Sequence, residues 1–499
     1  MIQDFGGFSF YSHSIFCLTL SSDYFYGLPD QHDLLLAFII AYLLLTIAIG
    51  FWASRRVSTS NDYMLAGRSL PIVLSTSALF ATWFGSETVF GASSEFLKEG
   101  LYGVIEDPFG AALCLLLFGV FFARKLYAMN LLTLCDFFRV RFGRRTELIS
   151  SIFMIPSYFG YTAGQLVALA LILNIVTGLP IWQGVVISAS VVTVYTFIGG
   201  MWAISIADFL QSIVIIIGLV VLAVILADQA GGIMTVLQEV PARNFKFLPK
   251  PEPVEIISYL AAWSVLGLGS IPSQDIFQRV MSSSSGKVAV RSCYYSAFLY
   301  LTVAMLPLFI SLCVKHLFPE ELEGDTQLVL PRMVLVHTNL LVQILFFGSL
   351  LSAVMSTTSS SLLAPAAVFS ENVIKPLLKK RPTDRHLLLI TRVSVVLFAI
   401  IATVMASLKS NIYELVGGAS ILSLVSLFVP MAVGMYWRKA NSLGAIIAMI
   451  GGMATWIYFE FFPVSVPSLV PAVVVSLLGM IFGSLVGTFV FSKKGYDKN

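Results

Sequence analysis

Apolar runs about twenty residues long recur from near residue 31 almost to the end of the chain, with short polar connections between them. About twenty residues is the length an α-helix needs to cross the hydrocarbon core of a bilayer. Thirteen spans follow from this pattern, at 31–53, 71–94, 104–123, 147–175, 181–199, 203–227, 254–280, 288–315, 335–364, 387–408, 412–436, 442–462 and 468–491. The longest connections, 123–146, 228–253, 316–334 and 365–386, are too short for a separate catalytic domain. The expected fold class is an all-α polytopic membrane protein.

Two of the spans are poorly made helices. Within 71–94 lies Ala81-Thr82-Trp83-Phe84-Gly85-Ser86-Glu87-Thr88, a glycine and small polar residues around a carboxylate. Within 254–280 lies Gly267-Leu268-Gly269-Ser270-Ile271-Pro272-Ser273-Gln274-Asp275, where the proline removes a donor and predicts a break close to Pro272. A broken backbone is tolerated in a membrane only where it is buried in protein or lines a cavity. The two breaks open two groups of five spans, 71–227 and 254–436, which an odd span number sets in opposite orientation. Matched interruptions in two inverted halves point to a binding site near the bilayer midplane. Segment 31–53 is then a leading helix and 442–491 holds two accessory helices.

A third feature is the run Ser356-Thr357-Thr358-Ser359-Ser360-Ser361 in the eighth span of the two groups. Ala353, Ser356, Thr357 and Ser360 fall at i, i+3, i+4 and i+7 and share a helix face. Hydroxyls can simply bond back to the preceding turn, but six in succession exceed that need. Facing unwound carbonyls, they would supply the several oxygens a sodium ion takes. Asp208 in the fifth span is the other candidate ligand, because intramembrane carboxylates are costly and usually line a pathway.

Composition adds exclusions. The 499 residues are 58% hydrophobic and 11% charged, where soluble chains run near ~25% charged. A net charge of +3 gives no reason to expect nucleic acid. Cys17, Cys114, Cys135, Cys293 and Cys313 are scattered and form no metal-binding spacing, and no phosphate loop or nucleophile motif is present. The chain is expected to be no enzyme, to need no organic cofactor and no obligate protein partner, and to live in the lipid bilayer. Lys and Arg gather on alternate loops, such as Arg55, Arg56 and Arg68, and Lys379, Lys380, Arg381 and Arg385. The positive-inside rule therefore places residues 1–30 outside and the tail 492–499 in the cytoplasm, with the plasma (bacterial inner) membrane as location.

These residues resemble the sodium/solute symporter family over roughly 35–440, helped by Asp62-Tyr63-Met64-Leu65-Ala66-Gly67-Arg68-Ser69-Leu70-Pro71 before the first core helix. The resemblance implies a LeuT-like five-plus-five inverted repeat with one leading and two trailing helices, and sodium-coupled symport of a small organic solute by alternating access. It implies a main sodium site at Ala81, Phe84, Ala353, Ser356 and Thr357. It also implies a second at Asp208, Ser356, Ser359 and Ser360, hence two sodium ions per cycle. Ala81-Thr82-Trp83 and Ile271-Pro272 followed by Gln274, Phe277, Gln278, Arg279 and Val280 look most like the high-affinity choline transporter branch. Ser273 and Gly164 stand where that branch has aromatic rings, which removes two walls of an expected cage for a quaternary ammonium. Glu87 and Asp275 are additions that would suit an amine or other cation. The candidate solute contacts are Trp83, Glu87, Thr88, Gln165, Ser273, Gln274 and Asp275. A proton-coupled transporter of the same fold, or a channel or sensor built on it, is the alternative.

Overall fold

Helices make up nearly all of the chain that a computed structural model describes, which is residues 29–496 apart from 324, 381 and 409–411. The segment 1–30 assigned to the outside thus lies beyond the described residues except for its last two, as do 497–499 of the tail. In chain order the main helices are α1 (Pro29–Ser54), α2 (Ile72–Trp83), α3 (Ala92–Glu99), α4 (Ile105–Ala128), α5 (Arg144–Thr177), α6 (Ile181–Gln229) and α7 (Pro253–Gly267). There follow α8 (Gln274–Met281), α9 (Gly286–Leu317), α10 (Leu340–Leu377), α11 (Asp384–Leu408), α12 (Leu415–Tyr436), α13 (Ser442–Phe461) and α14 (Leu469–Tyr496). Among the described residues, ten helices are long and apolar enough to cross a membrane, and the chain is an integral membrane protein.

The 49 residues of α6 would reach about 74 Å at 1.5 Å per residue, more than twice the hydrocarbon thickness. The run is broken at Gly200 (φ 53°, ψ −148°), a conformation only glycine adopts freely. A Cβ there would sit 2.5 Å from the Tyr63 ring and 2.6 Å from its carbonyl oxygen. Counting α6 twice and the pairs α2/α3 and α7/α8 once each, the described residues provide thirteen candidate crossings. Five crossings run from α2 to the end of α6, and five from α7 to α12.

Burial ranks the helices. The apolar window of α10 is 78% buried, against 22% for α1 and 33% for each of α13 and α14. Hence α10 is the central post, while the leading and trailing helices face lipid. The second half of α6 packs directly on α10, and Gly218 permits it, since a Cβ there would meet Leu345 O at 2.6 Å. Close approach through small residues is the usual way membrane helices pack.

The connections are more structured than the polarity pattern predicts. Helix α10 runs on to Leu377 through Pro365, and the 123–146 connection contains a helix at Leu134–Phe142, capped by Thr133 and Asp136. Asn372 at the far end of α10 donates to both Asp136 (3.0 Å) and Glu147 (2.7 Å). These partners lie far apart in sequence, so local polarity alone could not reveal them. Arg139 and Arg144 pair with these two acids and Arg68 donates to Leu131 O at 2.6 Å, which makes this an arginine-rich face. Here the backbone of Leu70, just before α2, pairs with the stretch just after α8. Leu70 N donates to Ser282 O (3.0 Å) and Ser284 N to Leu70 O (2.9 Å).

Candidate functional site

The break after α2 is set by Gly85. A Cβ there would stand 2.7 Å from Glu87 Oε2, 3.0 Å from Thr357 Oγ1 and 3.1 Å from Gln165 Oε1. The helix stops at Trp83 and resumes as a wide-turned segment at Glu87–Gly91. Into this break project the hydroxyls of α10. Ser356 Oγ and Thr357 Oγ1 each lie 3.2 Å from Ala81 O, and Thr357 Oγ1 is also 3.2 Å from Ala353 O. Phe84 sits at the break, its ring against Phe80 and Tyr300. Of the residues assigned to the main sodium site, Ala81, Ala353, Ser356 and Thr357 are thus gathered at one point between α2 and α10, and all five, Phe84 included, are buried.

The second set of oxygens is also gathered, but around a side chain that sequence reasoning missed. Asp208 is wholly buried; its Oδ1 accepts from Ser356 Oγ at 2.5 Å. Its Oδ2 pairs with Arg279 Nη2 at 3.2 Å. The same Nη2 donates to Ser360 Oγ, and Arg279 Nε donates to Ala78 O at 2.9 Å. Ser359 Oγ bonds Ser356 O at 2.8 Å and lies 3.3 Å from the Tyr195 hydroxyl. A basic residue within an interrupted span was itself a signal, since it demands an acidic partner in the bundle.

The second break contains Pro272, as expected, but starts before it: α7 stops at Gly267 and α8 starts at Gln274. Gly269 explains this, because a Cβ there would collide with Val265 O (2.2 Å) and Ser420 O (2.6 Å). Between the two breaks is a small cavity of about 50 Å³. Trp83, Glu87, Ser273 and Asp275 line it, together with Tyr158 and Tyr161 of α5 and Ser420 of α12. Three further candidates stand behind this lining. Thr88 turns to Trp83 O (3.1 Å) and Tyr300 (2.8 Å). Gln165 donates to Glu87 Oε2 at 2.7 Å, and Gln274 Oε1 accepts from Leu134 N at 2.7 Å.

The rings removed at Ser273 and Gly164 are made good from elsewhere. Gly164 packs on Val416 and Ile412, whereas Tyr161 and Tyr158, about one and two turns earlier, present their rings to the cavity. Tyr161 donates to Glu87 Oε1 at 3.2 Å and Tyr158 to Asp275 Oδ1 at 2.8 Å. Among the described residues neither carboxylate has a cationic side chain within 4.0 Å. Trp83 Nε1 is buried with no acceptor among the described residues. The lining can therefore neutralise a positive charge, cover it with aromatic faces and donate one hydrogen bond.

Comparison with known proteins agrees with this architecture. The chain is 28% identical to high-affinity choline transporter 1 of Drosophila melanogaster over 434 residues, covering 83% of this chain and 69% of that protein. It is 26% identical to the human high affinity choline transporter 1 over 441 residues, covering 84% and 75%. It is 28% identical to the osmoregulated proline transporter OpuE of Bacillus subtilis (strain 168) over 471 residues, covering 88% and 93%. A solved Na+-coupled sialic acid symporter superposes with a TM-score of 0.79 at 18% identity, over 91% of this chain and 98% of that one. Mhp1, a nucleobase-cation-symport-1 family transporter, does so with a TM-score of 0.58 at 16% identity, over 86% and 96%. Both carry the LeuT-like fold expected here. The family model described as "Sodium:solute symporter family" matches residues 63–452, and the chain belongs to that family.

Proposed function

We propose that this protein carries a small organic ammonium solute into the cell together with sodium, by alternating access. The observation that carries the reading is the pair Glu87 and Asp275, two buried carboxylates without a basic partner among the described residues, on one cavity with Trp83, Tyr158 and Tyr161. Buried charges are normally paired, and a cationic solute would supply the partner. Aromatic faces favour such cations as well. Sodium would sit on the Ala81 and Ala353 carbonyls and the Ser356 and Thr357 hydroxyls, with Phe84 bounding the break. Gly85 joins the two sites, since a Cβ on it would meet both Glu87 and Thr357. Membership of a sodium-coupled family and likeness to choline transporters support the same reading. The arginine-rich face is taken as cytoplasmic, which sets the N-terminus outside and the C-terminus inside.

The test is uptake into proteoliposomes of labelled choline, betaine and proline, with an inward gradient of sodium or of protons. Sodium-driven accumulation of choline, weaker for the zwitterions, is expected. Accumulation driven by protons without sodium would instead select the proton-coupled alternative. Accumulation of a zwitterion in preference to every cation tried would remove the ammonium assignment.

A further inference from the structure

We infer that Arg279 is a tethered cation standing in the second sodium site, so that this chain binds one sodium ion where its oxygens alone would hold two. The inference rests on the sodium-coupled reading above. Arg279 is the largest fully buried side chain described, at 0% exposure. Its guanidinium meets oxygens from three other segments: Ala78 O of α2, Asp208 of α6 and Ser360 of α10. Asp208 and Ser360 are two of the four residues that a second ion would use. The other two are drawn into the same net, Ser356 through Asp208 Oδ1 and Ser359 through Ser356 O.

Charge decides between the two occupants. One buried carboxylate balances one positive charge, and Asp208 already has its partner at 3.2 Å. A sodium ion on the same oxygens would be a second cation against a single anion, at a separation where like charges repel strongly in a low-dielectric interior. Guanidinium does not deprotonate in proteins, so the occupation is permanent, and unlike an ion it cannot leave with the solute. Arg279 is carried by α8, beyond the second break. It therefore ties α8 to α2, α6 and α10, as a bound ion between those elements would.

The fixed cation also reaches the main site. Ser356 Oγ lies 2.5 Å from Asp208 Oδ1 and 3.2 Å from Ala81 O, so Arg279, by holding Asp208, sets where that hydroxyl stands. In this respect it is a positioning residue for the remaining ion.

Equilibrium binding of 22Na+ to the detergent-purified full chain tests this without knowledge of the solute. Wild-type protein should bind one saturable equivalent, and Thr357→Ala should abolish it. Arg279→Ala frees Asp208 and should raise the count to two. A wild-type count of two overturns the inference, as does a monodisperse Arg279→Ala protein that still binds one. If that variant cannot be purified, the wild-type count decides. No saturable binding by the wild type would remove sodium coupling itself, and this inference with it, an outcome distinct from a count of two.

Discussion

Glu87 accepts hydrogen bonds from Gln165 and Tyr161 while facing a cavity that contains no basic group among the described residues. Removing its charge should weaken a cationic solute selectively. Hydrogen bonds to a charged group contribute about 1.5–3 kcal/mol, so Glu87→Gln should raise the half-saturating choline concentration by about tenfold or more. The sodium concentration for half-activation should move far less. Thr357→Val should show the reverse emphasis, since its hydroxyl serves Ala81 O and Ala353 O, not the cavity. Initial uptake rates titrated in both ligands separate the two variants, and equal shifts in both would remove the division of labour. The sequence exposed Glu87, Asp275 and Asp208 because each breaks the rule that membrane helices avoid acids. It hid Tyr158 and Tyr161, because a tyrosine in an apolar helix reads the same whether it meets a ligand or a neighbouring helix. Thr88, Gln165 and Gln274 were legible as polar and buried, but which way each points depends on helix phase beyond a break.

At the scale of elements, the interruptions were readable from their glycines, while their exact course was not. Pro272 marks the second break, yet the unwinding starts already after Gly267, and Gly269 within it passes close to Ser420 of α12. A collision with another segment cannot be read from local sequence. Gly85→Ala should therefore act on both ligands together, because the new methyl group would press on Glu87 and Thr357 at once. Overpacking of this kind costs about 1–3 kcal/mol, so affinity for choline and for sodium should each fall by about tenfold or more. Gly200→Ala should leave the site intact but lower stability. A strained backbone costs about 1–3 kcal/mol, and the clash with Tyr63 at 2.5 Å adds to it. Thermal unfolding of the purified variant in detergent checks this, and an unchanged midpoint would mean that the turn at Gly200 is not as tight as described.

For the whole molecule, the fold was the most legible part, because span length and lysine–arginine asymmetry are properties of the entire chain. Arg279 was the least, as its partners lie 71 and 81 residues away. Its consequence is electrical. With one sodium and a singly charged solute, two positive charges cross per cycle, and each is worth about 2.3 kcal/mol per 100 mV. A tenfold change in sodium should then shift the reversal potential by about 30 mV, half of the 59 mV for a single charge. With two sodium ions and the same solute the shift would be about 39 mV on the same scale. Solid-supported membrane or patch recordings of choline-coupled current distinguish these values.

The two backbone bonds at Leu70 join the near ends of α2 and α8, elements more than 200 residues apart, on the arginine-rich face. On the proposed transport cycle these bonds would hold the two half-helices together there, and the gap on this face would open along another seam. The amides of Leu70 and Ser284 become internal clocks for that seam. Their deuterium uptake should stay slow with sodium, with choline and with neither, while amides on the surfaces that part should change. Fast exchange at both positions on adding sodium would show instead that the two broken helices separate during the cycle.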